Sequence, residues 1–187
     1  MNATITLIRH GKPAIKTPGW ISSSDLSQVI SHYQSARIAS DSFPPEDVQA
    51  LVQSAKLVFT SDLPRAMDSA QILEPAILPV SNPIFREVEF WLECPINIRL
   101  PFHAWIFLDR LLLSLGYSPH SQSQTNNKER IRKAAELLEQ KSHETGFVVW
   151  VGHGITNLFI ARELKKRGWC GPQTPKLEHW GCTVYSL

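Results

Sequence analysis

The chain is sparing with cysteine: three in 187 residues, Cys94, Cys170 and Cys182. An odd count at wide, irregular spacing argues against a disulfide framework and against a thiolate zinc site. Ordinary thiols in a reducing cytoplasm are the simpler reading. Charge of one sign is missing too. The formal net charge is +2 and no block of like charge occurs, too little for a nucleic-acid footprint or an interaction tail. Long apolar runs are absent, so no membrane span is expected. Met1 to Ile8 lacks the basic start and the length of a signal peptide. No internal repeat, linker or metal-ligand set stands out, and no cofactor is expected.

What is present is the composition of a folded protein, 43% hydrophobic and 19% charged. The length fits one domain, residues 1–187, with a full core. Ala3 to Ile8 is an apolar, β-rich run suited to a strand covered on both faces. Helical spacing covers Ser24 to Ser40, and Glu46 to Ser54 forms a short helix after Pro44-Pro45. Lys56 to Thr60 is a short strand. Ser61 and Asp62 are candidate caps for a helix over Pro64 to Leu73. Ala76 to Val80 and Ile84 to Val88 are weaker strands, and Glu89 to Pro101 has no clean period. A helix over Phe102 to Leu115 is followed by a Ser/Gln/Asn-rich surface loop, Tyr117 to Asn127. Lys128 to Ser142 is an amphipathic helix. F-V-V-W-V at 147–151 is a buried strand, Ile155 to Lys166 a helix, and Thr183 to Ser186 an edge strand. Strands alternating with helices predict a three-layer α/β/α sandwich with a mostly parallel central sheet.

Three short motifs each follow directly on a predicted strand: R-H-G after Ile8, S-D-L-P-R-A after Thr60 and G-H-G after Val151. Open α/β sheets bind ligands at the carboxyl ends of their strands. One sheet edge can therefore gather Arg9, His10, Arg65 and His153 from distant parts of the chain. Two guanidiniums can fork onto an oxyanion, and two arginines plus an imidazolium match the charge of a transferring phosphoryl group without a metal. One histidine then remains for another task, and an imidazole nitrogen is a competent nucleophile at neutral pH. Gly11, Gly152 and Gly154 would let the backbone turn beside the substrate and expose its N–H groups. Singly, each of these residues is most simply structural; together they occupy strand-to-helix turns in compatible roles.

At these residues the sequence resembles the histidine phosphatase superfamily, whose fold is phosphoglycerate-mutase-like. The likeness rests on T-L-I-R-H-G at 6–11, F-T-S-D-L-P-R-A-M-D-S-A at 59–70 and V-V-W-V-G-H-G-I-T-N at 148–157. It implies a histidine acid-type phosphatase, a phosphoric monoester hydrolase acting on a small phosphorylated substrate. His10 would carry the phosphoryl group as a phosphohistidine, with Arg9, Arg65 and His153 as its clamp. The family's acid lies in the middle of the chain, where F-R-E-V-E-F-W stands; Glu87 fits best by position and Glu89 is the runner-up. Such an acid must hold a proton near neutral pH, and burial beside Phe85, Phe90 or Trp91 would supply that. The chain departs from the family at Lys12-Pro13 after R-H-G and at F-W-L-E-C-P, 90–95, both in regions that contact substrate. A phosphohistidine or phosphoprotein phosphatase, a mutase and a phosphate-binding regulatory module are the alternatives. Phe90 to Leu113 could roof a pocket, although aromatics at helical spacing are more often core. His103 and His120 are read as incidental, whereas Trp169, His179 and Trp180 lie past the His153 helix, where chain position could bring them near the site although no spacing shows it.

Overall fold

The computed structural model describes residues 3–16, 19–88, 96–114 and 121–187. Five strands form its main sheet: β1 (Thr4–Arg9), β3 (Val58–Thr60), β4 (Val80–Ser81), β6 (Phe147–Gly152) and β7 (Cys182–Ser186). Their order across the sheet is β4-β3-β6-β1-β7. β1 pairs in parallel with β6, β6 with β3, and β3 with β4; β7 closes one edge antiparallel to β1.

Side chains alternate across the sheet, as the two-residue period of a strand requires. Ile5, Leu7, Val148 and Trp150 face a core shared with Ile131, Ala134 and Leu138 of α5 (Ser121–Thr145). Ile160 and Leu164 of α6 (Gly154–Lys166) complete that core. Ile8, Val58, Val149 and Val151 face the other side, against Val48 and Val52 of α2 (Glu46–Gln53) and Ala70 of α3 (Pro64–Ile72). Helices therefore cover both faces, which makes the α/β/α sandwich with its mostly parallel sheet.

A third, smaller core lies apart from the sheet. β2 (Trp20–Ser22) pairs antiparallel with β5 (Arg99–Pro101). Ile21, Leu26, Phe102 and Trp105 pack together from this ladder, from α1 (Leu26–Ser35) and from α4 (Phe102–Ser114). Trp105 Nε1 donates to the Ile21 carbonyl at 3.2 Å, pinning α4 to the ladder. The unit caps the carboxyl edge of the main sheet.

Several sequence expectations are corrected. α1 stops at Ser35 rather than Ser40, because Ile38 is drawn into a bridge with Pro13 and its N–H into Asp68. Ile84 to Val88 is not a strand. Asn82 Oδ1 accepts from Ile84 N and Pro83 starts a 3-10 turn over Pro83–Phe85. Within the stretch read as irregular, Arg99–Pro101 is strand, made so by β2 rather than by its own period. Residues 121–127 begin α5 instead of continuing a loop; the segment contains no glycine or proline to stop a helix. Leu63, not Ser61 or Asp62, is the N-cap of α3, while Ser61 Oγ accepts the Leu63 N–H at 3.1 Å.

Candidate active site

β1, β6 and β3 run parallel, so their carboxyl ends open on one edge. Arg9 pairs in register with Gly152, and His10 N donates to the Gly152 carbonyl at 2.8 Å. That brings the R-H-G and G-H-G turns side by side. The rings of His10 and His153 lie 5.2 Å apart, edge to face.

His10 is 1% exposed. Its Nδ1 is 2.7 Å from the Gly11 carbonyl, an acceptor, so Nδ1 carries the proton. Nε2 then holds the lone pair, and Arg65 Nε donates to it at 3.2 Å. A guanidinium has no lone pair to offer, so this second bond points to the same tautomer. Burial, then the neighbouring imidazole of His153 and the Arg65 guanidinium, hold the His10 pKa well below its ordinary 6.5. The ring is neutral, with its lone pair on Nε2.

Arg65 comes from the first turn of α3 and is as buried as His10. Its Nη1 donates to the Tyr33 and Gln34 carbonyls at 3.0 and 3.2 Å, and its guanidinium lies 4.8 Å over the Tyr33 ring. Arg9 Nη1 donates to the Leu177 carbonyl, and Arg9 Nε is buried with no partner among the described residues. Neither arginine forms an ion pair with a carboxylate among the described residues. Charge buried without an opposite charge is costly, and an anion placed between these guanidiniums offsets that cost.

His153 is the N-cap residue of α6 and fully buried. Its Nε2 is hydrogen-bonded to Ser61 Oγ at 2.9 Å, while Nδ1 has no partner among the described residues. Burial, then Arg65 and Arg9, push its pKa well down. So placed, His153 is a neutral ring packed against His10.

Glu87 is carried to the site by the turn after Pro83. Its Oε1 accepts from Val88 N at 2.9 Å and from Thr156 N and Oγ1, both at 3.0 Å. Oε1 is thereby tied to the first turn of α6, leaving Oε2 as the oxygen open to a substrate. Glu89, the runner-up acid, lies outside the described residues, as do Phe90 and Trp91.

The glycines divide. Gly154 lines the cavity, and a Cβ there would sit 3.4 Å from Arg9 Nε. Gly11 gives its N–H to Ser69 Oγ at 2.9 Å, not to the cavity, and a Cβ would meet the Trp180 ring at 2.5 Å. At Gly152 a Cβ would fall 1.9 Å from the Trp150 ring. The last two are glycines because aromatic rings lie against them, which corrects the expectation of accessible N–H groups at Gly11.

Ser69 escaped the sequence reading, and His179 was offered only as a chain position that could reach the site. Ser69 Oγ donates to the Arg65 carbonyl at 2.6 Å while accepting from Gly11 N, so it ties the first turn of α3 to the R-H-G turn. His179 lines the cavity with its ring 5.8 Å from His10. Burial, then Arg9 and Lys12, push its pKa down to about 4. A turn over Glu178–Gly181 places it, with Trp180 at φ 62°, Trp180 N donating to Arg9 O and Trp180 Nε1 to Ser42 Oγ. A bulky residue in the left-handed region is strained and persists only when its surroundings fix it.

Arg9, Arg65, Glu87, Gly154 and His179 border a cavity of about 620 Å³, while the buried His10 and His153 are not among its lining residues. Arg9, Arg65, Glu87 and Gly154 line its floor; α1 and α4 supply much of its wall, including Phe102 and His103 from the segment considered as a roof. Trp105 belongs to the cap core instead, and Phe107 faces solvent. Among the described residues, no group of three or more His, Cys, Asp or Glu side chains is placed to hold a metal, and no helix is long and apolar enough to cross a membrane.

No family model matches the chain, and no curated protein matches it by sequence. Solved structures do. Mycobacterial glucosyl-3-phosphoglycerate phosphatase in complex with inorganic phosphate aligns with a TM-score of 0.54 at 20% identity, over 88% of this chain and 79% of that one. A protein from Thermus thermophilus aligns at 0.57 and 18% identity, over 97% and 92%. A candidate alpha-ribazole-5'-P phosphatase from Escherichia coli aligns at 0.51 and 18% identity, over 86% and 78%. The chain has the phosphoglycerate-mutase-like α/β fold of these proteins.

Proposed function

We propose that the protein is a histidine phosphatase that hydrolyses phosphomonoesters through a phosphohistidine on His10, with no metal. The observation that carries this is the state of the His10 ring. Its proton is fixed on Nδ1, and its Nε2 lone pair sits against Arg65, beside two guanidiniums that lack carboxylate partners among the described residues. Phosphate binding by the solved mycobacterial relative of this fold supports the reading.

The reaction runs in two steps. As substrate enters, the Arg65 Nε–H passes from His10 Nε2 to a phosphoryl oxygen, which frees the lone pair. Nε2 attacks phosphorus, the bond from phosphorus to the ester oxygen breaks, and a proton on Glu87 Oε2 goes to the departing alcohol. Water then attacks phosphorus, gives its proton back to Glu87, and the P–N bond breaks to release phosphate and neutral His10. Arg9 and Arg65 hold the equatorial oxygens throughout, a preorganised electrostatic task that does not need a metal. His153 is bonded to Ser61 through Nε2 and packs on His10, so it keeps the ring in place.

The test is hydrolysis of p-nitrophenyl phosphate in EDTA near pH 6 by wild type and His10→Ala. Turnover by wild type and none by the folded variant is the expected result. Equal rates, or activity only with added divalent metal, would overturn the mechanism.

A further inference from the structure

We infer that the group esterified to the phosphate is a bulky, hydroxyl-poor alcohol, so that the substrates are aryl or long-chain alkyl phosphomonoesters. This rests on the phosphatase reading and adds the substrate class to it. The phosphoryl group needs only the floor of the cavity, where Arg9, Arg65 and Glu87 meet. The whole space is about 620 Å³, and cavities of about 300–1,000 Å³ are those that enclose entire drug-sized molecules. Most of the volume therefore belongs to the leaving group.

The wall around that volume is largely hydrocarbon. α1 presents Ile30 and Tyr33, one turn apart, and α4 presents Phe102 and Ile106, four residues apart on one face. Ile15 from the segment after β1 and Leu177 from the carboxyl-terminal loop close the ring. The cationic side chains on the wall already have carboxylates. Lys12 pairs with Asp41 at 3.6 Å, Arg86 with Asp62 at 2.5 Å and Arg110 with Asp109 at 3.4 Å. The wall thus does not call for a second anionic group. A sugar presents a hydroxyl on nearly every carbon, and each one stripped of water against Ile15, Ile30, Phe102 or Ile106 is left without a partner. An aryl or alkyl chain loses nothing polar there and gains burial.

The experiment compares kcat/KM of the full chain on glycerol phosphate, glucose phosphate, phenylpropyl phosphate, decyl phosphate and a phosphohistidine peptide. Glycerol and glucose are the better leaving groups of the four alcohols, so intrinsic reactivity works against the inference. The expected result is a kcat/KM at least about tenfold higher for the phenylpropyl or decyl ester than for either polar ester, the scale of even a small apolar contact in a pocket. Ile106→Asp is expected to lower that ratio by about tenfold or more. Because Ile106 packs against the cap core, Ile15→Asp, outside the buried clusters, gives the same reading in a position tolerant of change. Preference for the polar esters or the peptide overturns the substrate class and leaves the phosphatase standing. A ratio unchanged in both folded variants overturns the assignment to this wall. No turnover of any ester overturns the phosphatase reading, and the inference with it.

Discussion

His10, the proposed nucleophile, is left little freedom. The Gly11 carbonyl holds one nitrogen, Arg65 the other, and His153 and His179 flank the ring. Its neutral state follows from burial among cations, and activity should follow the depressed pKa. With the substrate's own second ionisation at about 6 allowed for, kcat/KM should hold through pH 6.5 and fall only well below it; an acid limb at 6.5 would mean an exposed, unperturbed imidazole. Glu87→Gln preserves an acceptor for Thr156 and Val88 but carries no proton to give. Hydrolysis of an alkyl phosphate is expected to slow by about a hundredfold or more, and that of an aryl phosphate far less, because phenolate leaves unaided. Equal effects on both would remove Glu87 from the mechanism. Arg65→Lys loses the fork that reaches His10 and both carbonyls, and kcat should drop by about a hundredfold or more. At this scale Arg9, His10 and His153 were legible because each stands where an apolar strand run stops, and Arg65 because it opens the helix that follows such a strand. For His179 only the chain position past the His153 helix pointed to the site: what brings it in is a bond from Trp180 to Ser42 and another from Trp180 to Arg9, across most of the chain, and no local pattern records such a link.

Among the elements, β1, β3 and β6 announced themselves by apolar runs, since both faces are covered by helices; β4 is two exposed residues, and only Val80 of the strand expected over Ala76 to Val80 belongs to it. β2 and β5 did not announce themselves. Each is three residues long and is strand only because the other lies beside it, so neither has a period to read. The start of α5 was hidden by polar residues that favour loops by composition yet contain no helix breaker. Gly11 joins these levels. Its place between β1 and the cavity suggested an open backbone, but the Trp180 ring and the Ile38 side chain lie where a Cβ would go, at 2.5 and 2.6 Å. Trp180 is anchored by Ser42 at 3.0 Å, so it cannot yield cheaply. Gly11→Ala is expected to destabilise the fold by about 1–3 kcal/mol, the usual cost of overpacking, measured by urea unfolding. No change in midpoint would show that the ring moves aside freely.

For the whole molecule, the parallel sheet serves to aim three strand ends at one place, and the cap of α1, α4 and the β2–β5 ladder serves to enclose it. That arrangement has an acid-stability cost. His10, His153 and His179 all have pKa values lowered in the folded state, His179 to about 4. Below the ordinary value of 6.5 the unfolded chain therefore binds more protons than the folded one, and stability falls as pH drops from there toward 4. Tm should be flat above about pH 7 and decline through about pH 5, with a shallower decline in His179→Asn. A Tm that rises on acidification would contradict the burial of these rings. The most direct test of the central claim is to mix the protein with a phosphomonoester, quench in alkali within one turnover, and look for phosphate on His10 by peptide mass spectrometry. The account predicts one phosphoryl group on Nε2 of His10, absent in His10→Ala. Turnover with an unmodified His10, or with the phosphoryl group on another residue, would contradict it.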